Sequence, residues 1–520
     1  MPYLMTIDAG TGSVRAVIFD QAGRQISVGQ QEWSHLAEDG VIDSMSFDYQ
    51  TNWGITQECI REAIYKAQIK ASEIVAVTAS SMREGILLYD KNGDEIWGVA
   101  NVDARASAEV KELKENFDEI EEAFYRQSGQ TFALGALPRL LWVKKNRPAI
   151  YEKTTTISMI SDWVLAKLSG IIATDPSNAG TTGIFSLSKR QWEPAQARQV
   201  GIKDDIFPPV YEPSTVIGEV TKQASQETGL STRCKVVMGG GDVQLGSAGL
   251  GIVKAGESAI LGGSFWQQIV NIDASTPPPT DMRLRVNPHV ISGLSQAEGI
   301  TFFSGLIMRW FRDAFCQSEK MEALAKGIDT YALLEEMAAS VPVGSHGIIP
   351  IFSDAMKYGK WYHASPSFLN LSLDSDKCNK VSMFRSLEEN AAIVSAINLE
   401  SISSFSGVNS DSLTFAGGAS NGKLWSQILA DVTGKAIHIP VVKEATSLGG
   451  AMMAGIGAGI YKDINEVAKE LVEWERTVEP NQANYEKYQE IKEQWQEIYS
   501  EQLKLVDRGL VTSMWKAPGV

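Results

Sequence analysis

The chain has 520 residues, 44 % of them hydrophobic, and a formal net charge of −16, which is enough apolar matter for two or more domains. So acidic a balance excludes a nucleic-acid backbone or an anionic membrane as the main partner, because both are met by basic patches. Cys59, Cys234, Cys316 and Cys378 lie far apart with no C-x-x-C pair, and His35, His289, His346, His363 and His438 do not cluster; this excludes a disulfide framework or a zinc site and fits a reducing cytosol.

No apolar run reaches the ~18 residues of a membrane span, and the chain opens on the strand-like LMTID rather than a charged leader, so a soluble cytoplasmic protein is expected. Residues 3–30 predict three short strands, YLMTID, VRAVIFD and RQISVG, joined by the turns GTGS and DQAG. A helix follows over 50–70, then the strand IVAVTAS, the turn SMREG and the strand ILLYD. Strands alternating with amphipathic helices predict an α/β architecture with a covered sheet. Residues 104–126 predict one charged helix with a solvated face. Farther on, KVVMGGGDVQLGSAGLG and SAILGGSFWQQIVNI each set a strand against a Gly-rich turn, and the second repeats the style of the opening hairpin, predicting a second domain on the same plan from about residue 250. SLTFAGGASNGKLWSQILADVTG reads as strand, Gly-rich turn and helix, and EATSLGGAMMAGIGAGIYKD as a small-residue helix suited to close packing. TPPPT at 276–280 reads as a surface loop, and NYEKYQEIKEQWQEIYSEQLKLV as an acidic amphipathic helix.

Four Gly-rich turns thus stand at strand ends, at 10–13, 239–241, 262–264 and 417–422. One such turn answers only to backbone conformation; four predict a site for a nucleotide polyphosphate. Asp8 stands against the first turn, where a carboxylate repels phosphate unless Mg²⁺ lies between them; the alternative is that it accepts the turn's own N–H groups. Asp242 follows three glycines and suits a base for an attacking hydroxyl, or caps the helix that follows. Arg83 and Glu84 share a tight turn, where both can converge on one polar ligand or be two incidental surface charges. Asp103 and Arg105 either join the same polyol pocket or begin the next helix. Gly417 to Lys423 fits G-x-x-x-x-G-K, but Leu424 stands where a P-loop needs Ser or Thr, so the turn is expected to lie against a nucleoside instead. A GxGxxG fingerprint is absent, which weakens any dinucleotide oxidoreductase reading.

In this order the turns resemble those of the FGGY carbohydrate kinases, from DAGTGSVRAVIFD through GGGD, LGGSF and AGGASNGKLWSQILAD to EATSLGGAMMAGIGAG. The stretches SMREGILLYD, ANVDARA, MISDW, DPSNAGTTG, VNPHVI, MRWFRDAFC, PIFSD, SLEENAAIVSA and TSMWKAPG are similar to members of that family acting on dihydroxypentanedione. The resemblance implies an α/β fold of two actin-like (ribonuclease H-like) ATPase domains around a central cleft, with 1–250 binding substrate and 251–520 binding ATP. It implies a kinase using ATP and Mg²⁺ on a small-molecule substrate, with Asp242 as general base and Asp8 as the metal-associated carboxylate. Thr11, Gly12, Ser13, Arg15, Gly262, Gly263 and Ser264 would face the phosphates. Gly305, Arg309, Gly417, Gly418, Ala419 and Asn421 would line the nucleoside, and Arg83, Glu84, Asp103 and Phe265 the substrate. By analogy with glycerol kinase, a phosphocarrier protein of sugar uptake is the candidate regulator.

The sequence departs from the glycerol kinase pattern at Asn101 or Val102, where those enzymes carry Trp, and at Val243, where they carry Gln. Both changes point away from a plain glycerol pocket and towards a more oxygenated substrate. Gly12 also replaces a second Thr of the phosphate turn. The competing expectations are a kinase of a pentulose or other short polyol, and a non-catalytic actin-like sugar sensor, against which the presence of Asp242 speaks.

Overall fold

The computed structural model describes residues 2–116, 119–133, 135–442 and 444–519. Strands β1 (Tyr3–Ala9), β2 (Ser13–Phe19) and β3 (Gln25–Glu32) form the antiparallel meander that the alternating pattern predicts, and β4 (Ile74–Ser81) lies parallel to β1 on its other side. Beyond β4 the strand Lys235–Val237 and the two-residue strand Gly240–Gly241 also run parallel to it, and Val216–Glu219 closes that edge. β1 and β4 are almost wholly buried along their length, as strands covered on both faces must be. The helix Tyr49–Ala67 covers one face, its N-terminus capped by Asp48 accepting from the Thr51 amide at 3.0 Å.

A second seven-stranded sheet repeats the plan. Ser258–Gly262, Trp266–Asp273, Leu294–Thr301 and Arg285–Pro288 pair antiparallel in that order. Ser412–Ala416 and Ala436–Pro440 follow in parallel on the other side of Ser258–Gly262, and Trp474–Val478 ends the sheet. Its core gathers Trp266, Phe311, Phe384, Phe415, Trp425 and Trp495 around the 27-residue helix Lys380–Ser406.

The small-residue helix Ala445–Ala458 crosses back to the first sheet, where a Cβ on Gly450 would strike Thr6 of β1. The Thr6 hydroxyl donates to the Ser447 carbonyl at 2.8 Å. Gly449 and Gly249 meet backbone to backbone where this helix crosses Asp242–Gly249, an approach that any side chain would block.

The segment expected to form one helix over 104–126 instead forms two, Ser107–Asn116 and Ile120–Ser128, with 117 and 118 outside the described residues. Nor is its charged face wholly solvated. Glu109 and Glu121 are buried, and Glu121 pairs with Lys114 at 2.8 Å while accepting the Phe132 amide at 2.8 Å. Among the described residues no helix is long and apolar enough to cross a membrane.

Candidate active site

Sheet register places the two carboxylates singled out in the sequence at one end of the first sheet. Asp8 pairs with Ser80 of β4, and Gly240 pairs with the same Ser80 from the other side. Two residues later Asp242 opens the helix Asp242–Gly249, whose N-cap is Gly241. Asp242 is therefore the first helical residue rather than the cap; its carboxylate accepts one of the first helical amides, that of Val243, at 2.8 Å, and 38 % of the side chain is exposed. Surrounding protein bulk pushes its pKa up to about 7, with Asp8 and Glu84 adding to the shift and Arg83 opposing it. The Arg83 Nε lies 3.7 Å from Asp242 Oδ1. Burial likewise raises Asp8 to about 6; Arg15, 3.4 Å away, works against this and Glu444 works with it. Arg15 divides its charge between the two, since its other nitrogen contacts Glu444 at 2.5 Å.

The 10–13 turn is held from behind. Trp33 Nε1 donates to the Gly10 carbonyl at 2.9 Å, and burial keeps His35 below its ordinary pKa while its Nε2 lies 2.6 Å from the Thr11 carbonyl. Asn101 Nδ2 donates to Thr11 Oγ1 at 3.0 Å. A Cβ on Gly12 would meet nothing within 4 Å, so this turn borders open space.

The second sheet contributes a cavity of about 1130 Å³. Gly262, Gly263, Ser264, Gly305, Arg309, Gly418, Ala419 and Asn421 all line it, so two of the Gly-rich turns and the helix Ser304–Phe315 converge on one space. Gly417 lies just behind, at φ 95°, where a Cβ would press on the Gly262 backbone; a Cβ on Gly305 would strike the Gly263 carbonyl. These glycines let three backbones meet at the cavity wall. The P-loop-like turn does not offer its helix N-terminus to phosphate. Glu335 already accepts from the Leu424 amide at 3.2 Å and the Trp425 amide at 3.4 Å, filling the anion position of a helix start. Glu388 faces Glu335 from the long helix, and burial followed by that neighbouring carboxylate pushes it well above the usual range.

Arg83 and Glu84 are not incidental surface charges, for both are buried. Each is paired across the cleft with the second sheet. Arg83 binds Glu298 through two nitrogens, at 2.6 and 2.9 Å, and Arg285 forms an ion pair with Glu84. Glu298 also accepts from Gln244 Nε2 at 2.8 Å. Burial works to raise the Glu84 pKa, but Arg285 and Arg83 outweigh it and hold the carboxylate low. Glu84 itself sits at φ 68° on its turn.

Asp103 is not presented to the cleft. Its side chain is fully buried, taking Arg105 Nε at 2.8 Å and the Met45 amide at 2.6 Å. The Arg105 guanidinium in turn lies 5.4 Å from the Trp97 ring and 4.9 Å from the Trp142 ring, so neither residue opens the next helix and neither reaches open space. Phe265 is 40 % exposed and leans on Phe302 and Phe303, with ring centroids 5.1 and 5.3 Å apart.

Among the described residues no three His, Cys, Asp or Glu side chains converge as a metal cage. Mg²⁺ keeps much of its water and is bound by one or two carboxylates together with substrate phosphates. Asp8, buried beside the 10–13 turn and only partly compensated by Arg15, fits that manner of binding.

Sequence reasoning missed Glu298, Arg285, Glu335 and Glu444. Glu298 carried a usable signal, the one charged residue of a strand that is buried along most of its length, where an ionised side chain demands a partner.

The N-terminal domain of the FGGY family of carbohydrate kinases matches residues 3–249, and its C-terminal domain matches residues 268–458. The chain is 58 % identical over 521 residues to the autoinducer-2 kinase of Klebsiella pneumoniae subsp. pneumoniae, covering 100 % of this chain and 98 % of that protein. Autoinducer-2 kinase of Salmonella typhimurium is 56 % identical over 519 residues, with the same coverage of both chains. Among solved structures, xylulose kinase from Rhodospirillum rubrum superposes with a TM-score of 0.84 at 22 % identity, covering 96 % of this chain and 98 % of that one. Plasmodium falciparum glycerol kinase with ADP gives 0.82 at 19 % identity, covering 98 % and 99 %. At such identities the two structures speak for the fold: two domains flanking a cleft.

Proposed function

The chain belongs to the FGGY family of carbohydrate kinases, and from that premise we propose that it transfers the γ-phosphoryl group of ATP to the terminal hydroxyl of autoinducer-2, 4,5-dihydroxy-2,3-pentanedione. The observation that carries the choice of acceptor is the 58 % identity, over the whole chain, with a protein named autoinducer-2 kinase. Residues 1–250 would chiefly hold the acceptor and 251–520 the nucleotide. The 1130 Å³ cavity suits the nucleoside, against Gly305, Arg309, Gly417, Gly418, Ala419 and Asn421. The polyphosphate would extend between the turns Gly262–Ser264 and Thr11–Ser13, with Arg15 beside them.

Asp242 then takes the proton of the attacking hydroxyl. The hydroxyl oxygen bonds to the γ-phosphorus, the bond to the bridging oxygen breaks, and ADP leaves with that electron pair. A carboxylate raised to about 7 is half ionised at neutral pH and strong enough to accept the proton. Arg83 and Glu84 would orient the acceptor's oxygens from fixed positions, Phe265 would cover its carbon skeleton, and Asp103 would act from behind by fixing Arg105 and the Met45 amide. Mg²⁺, held by Asp8 and the phosphates, would supply charge neutralisation at the transferring group. The cytoplasm, where ATP is at hand, is the proposed place of action, and a phosphocarrier protein of sugar uptake the proposed regulator.

The test is ADP release by the purified protein with ATP and Mg²⁺, supplied separately with dihydroxypentanedione, xylulose, ribulose and glycerol, with Asp242→Asn alongside. Strong turnover with dihydroxypentanedione alone, lost in the variant, is the expected result. Turnover only with a pentulose would keep the chemistry and replace the acceptor, and no acceptor-dependent turnover would leave a sugar sensor.

A further inference from the structure

Two sequence motifs found no place in the mechanism above, MISDW at 159–163 and DPSNAGTTG at 175–183. The fold brings them together directly behind the base. Asn178 Nδ2 donates to Ser161 Oγ at 2.8 Å and to Asp175 Oδ2 at 2.5 Å. The Ser161 amide donates to Ser81 Oγ of β4 at 2.9 Å. Ser177 gives both its amide, at 2.7 Å, and its hydroxyl, at 2.5 Å, to Asp175 Oδ1. The accessible surface of Asp175, Ser177 and Asn178 is zero.

The chain of donors ends on the residue before the base. The Gly241 amide donates to Ser177 Oγ at 2.9 Å. Gly240–Gly241 pairs with β4 on one side, and among the described residues no strand pairs with it on the other. The Gly240–Gly241 peptide, one residue ahead of Asp242, is thus anchored on its outer side by a side-chain oxygen. A hydroxyl has one proton to give; Asp175 accepts it, so a lone pair of Ser177 Oγ is left facing the Gly241 N–H. The strand also lies tight on this turn, since a Cβ on Gly240 would come within 2.8 Å of Ser177 Oγ. From the second sheet, Asn287 Nδ2 donates to the Ser177 carbonyl at 2.9 Å and holds the turn in place.

We infer that Ser177, oriented by Asp175, is a positioning residue that fixes the Gly240–Gly241 peptide, one residue ahead of Asp242, and so the direction in which the Asp242 carboxylate faces the acceptor hydroxyl. The inference rests on Asp242 being the base. A misplacement near 1 Å is enough to cost about 10²-fold in rate, and an amide hydrogen bond on the residue just ahead of the base controls displacements of that size.

The experiment is a double-mutant cycle on kcat with ATP and dihydroxypentanedione, using Ser177→Ala, Asp242→Asn and the pair. Ser177→Ala is expected to lower kcat by about tenfold to a hundredfold, with KM for both substrates within about twofold, and to cause no further loss in the Asp242→Asn background. Ser177→Cys, which fills the space but is a weak acceptor, is expected to follow Ala; it also supplies the reading should the Ala variant fail to fold. Equal losses in both backgrounds, or recovery by Cys, would mean that Ser177 serves packing and would overturn the inference. Unchanged kcat in Ser177→Ala would do the same. Full kcat in Asp242→Asn alone would instead remove the base, and the positioning role with it.

Discussion

Asp242 owes its chemistry to its neighbours. Crowding by protein, with Asp8 and Glu84 close by, pushes its carboxyl up to about 7 against the pull of Arg83, well above an ordinary aspartate. Since the base must be ionised, kcat is expected to rise as pH passes through about 7 and to level off above it. A kcat profile from acid to mildly alkaline pH, with Asp242→Asn lacking the limb, checks this; a flat profile in the native enzyme would refute it. Asp8 has a different task. It lies beside the first turn with Arg15 shared between it and Glu444, so its negative charge is left partly available to a cation. Asp8→Ala is expected to raise the Mg²⁺ concentration needed for half-maximal turnover while leaving the protein folded. An unchanged Mg²⁺ titration would sink that role.

At the scale of elements, the cavity proposed for the nucleotide depends on where backbones touch. Gly305, in the first turn of its helix, lies against the Gly263 carbonyl, and Gly417 presses on Gly262. Gly305→Ala forces the helix Ser304–Phe315 away from the Gly-rich turn, and overpacking of this kind costs about 1–3 kcal/mol. The expected signature is a KM for ATP raised at least about tenfold together with a lowered melting temperature, and an acceptor KM that hardly moves. Steady-state kinetics with each substrate varied in turn separates the two. The turn at 417–422 shows how a motif is completed or cancelled by its surroundings. Its sequence comes within one residue of a P-loop, yet Glu335 from another helix occupies the amides of Leu424 and Trp425, which leaves the turn to line the cavity with Gly418, Ala419 and Asn421.

For the molecule as a whole, the crossed pairs Arg83 with Glu298 and Arg285 with Glu84 tie the turn after β4 to the second sheet. Both pairs are buried, and Gln244, on the helix that Asp242 opens, joins them through Glu298. Removing one partner of a buried pair strands the other charge and destabilises by about 3–5 kcal/mol. Glu298→Ala is therefore expected to lower the stability of the whole protein by that order, read as the denaturation midpoint in urea, and to reduce turnover because Arg83 loses its fixed position. A variant as stable as the native protein would show that the cleft does not rely on this bond. The helix Ala445–Ala458 adds a second tie, since it follows the second sheet's Ala436–Pro440 in the chain yet lies on β1 and β4 of the first.

Much of this was written in short stretches of sequence. Strands with a period of two, turns that need glycine, and a carboxylate next to such a turn are decided within a few residues, so the meander, the Gly-rich turns at 10–13, 262–264 and 417–422 and the singular positions of Asp8 and Asp242 could be read directly, whereas Gly240 and Gly241, expected in a turn, form a short strand against β4. The partners could not. Glu298 against Arg83, Arg285 against Glu84, Ser177 under Gly241 and Glu335 at the start of a distant helix are pairings between segments far apart in the chain. Nothing local selects among the many acidic and basic residues available. The choice was made by the register of two sheets and the crossing of glycine-rich helices, which decide which buried charges face each other. Burial then made each pairing necessary, because an ionised or hydrogen-bonding group removed from water has to find its partner inside the protein.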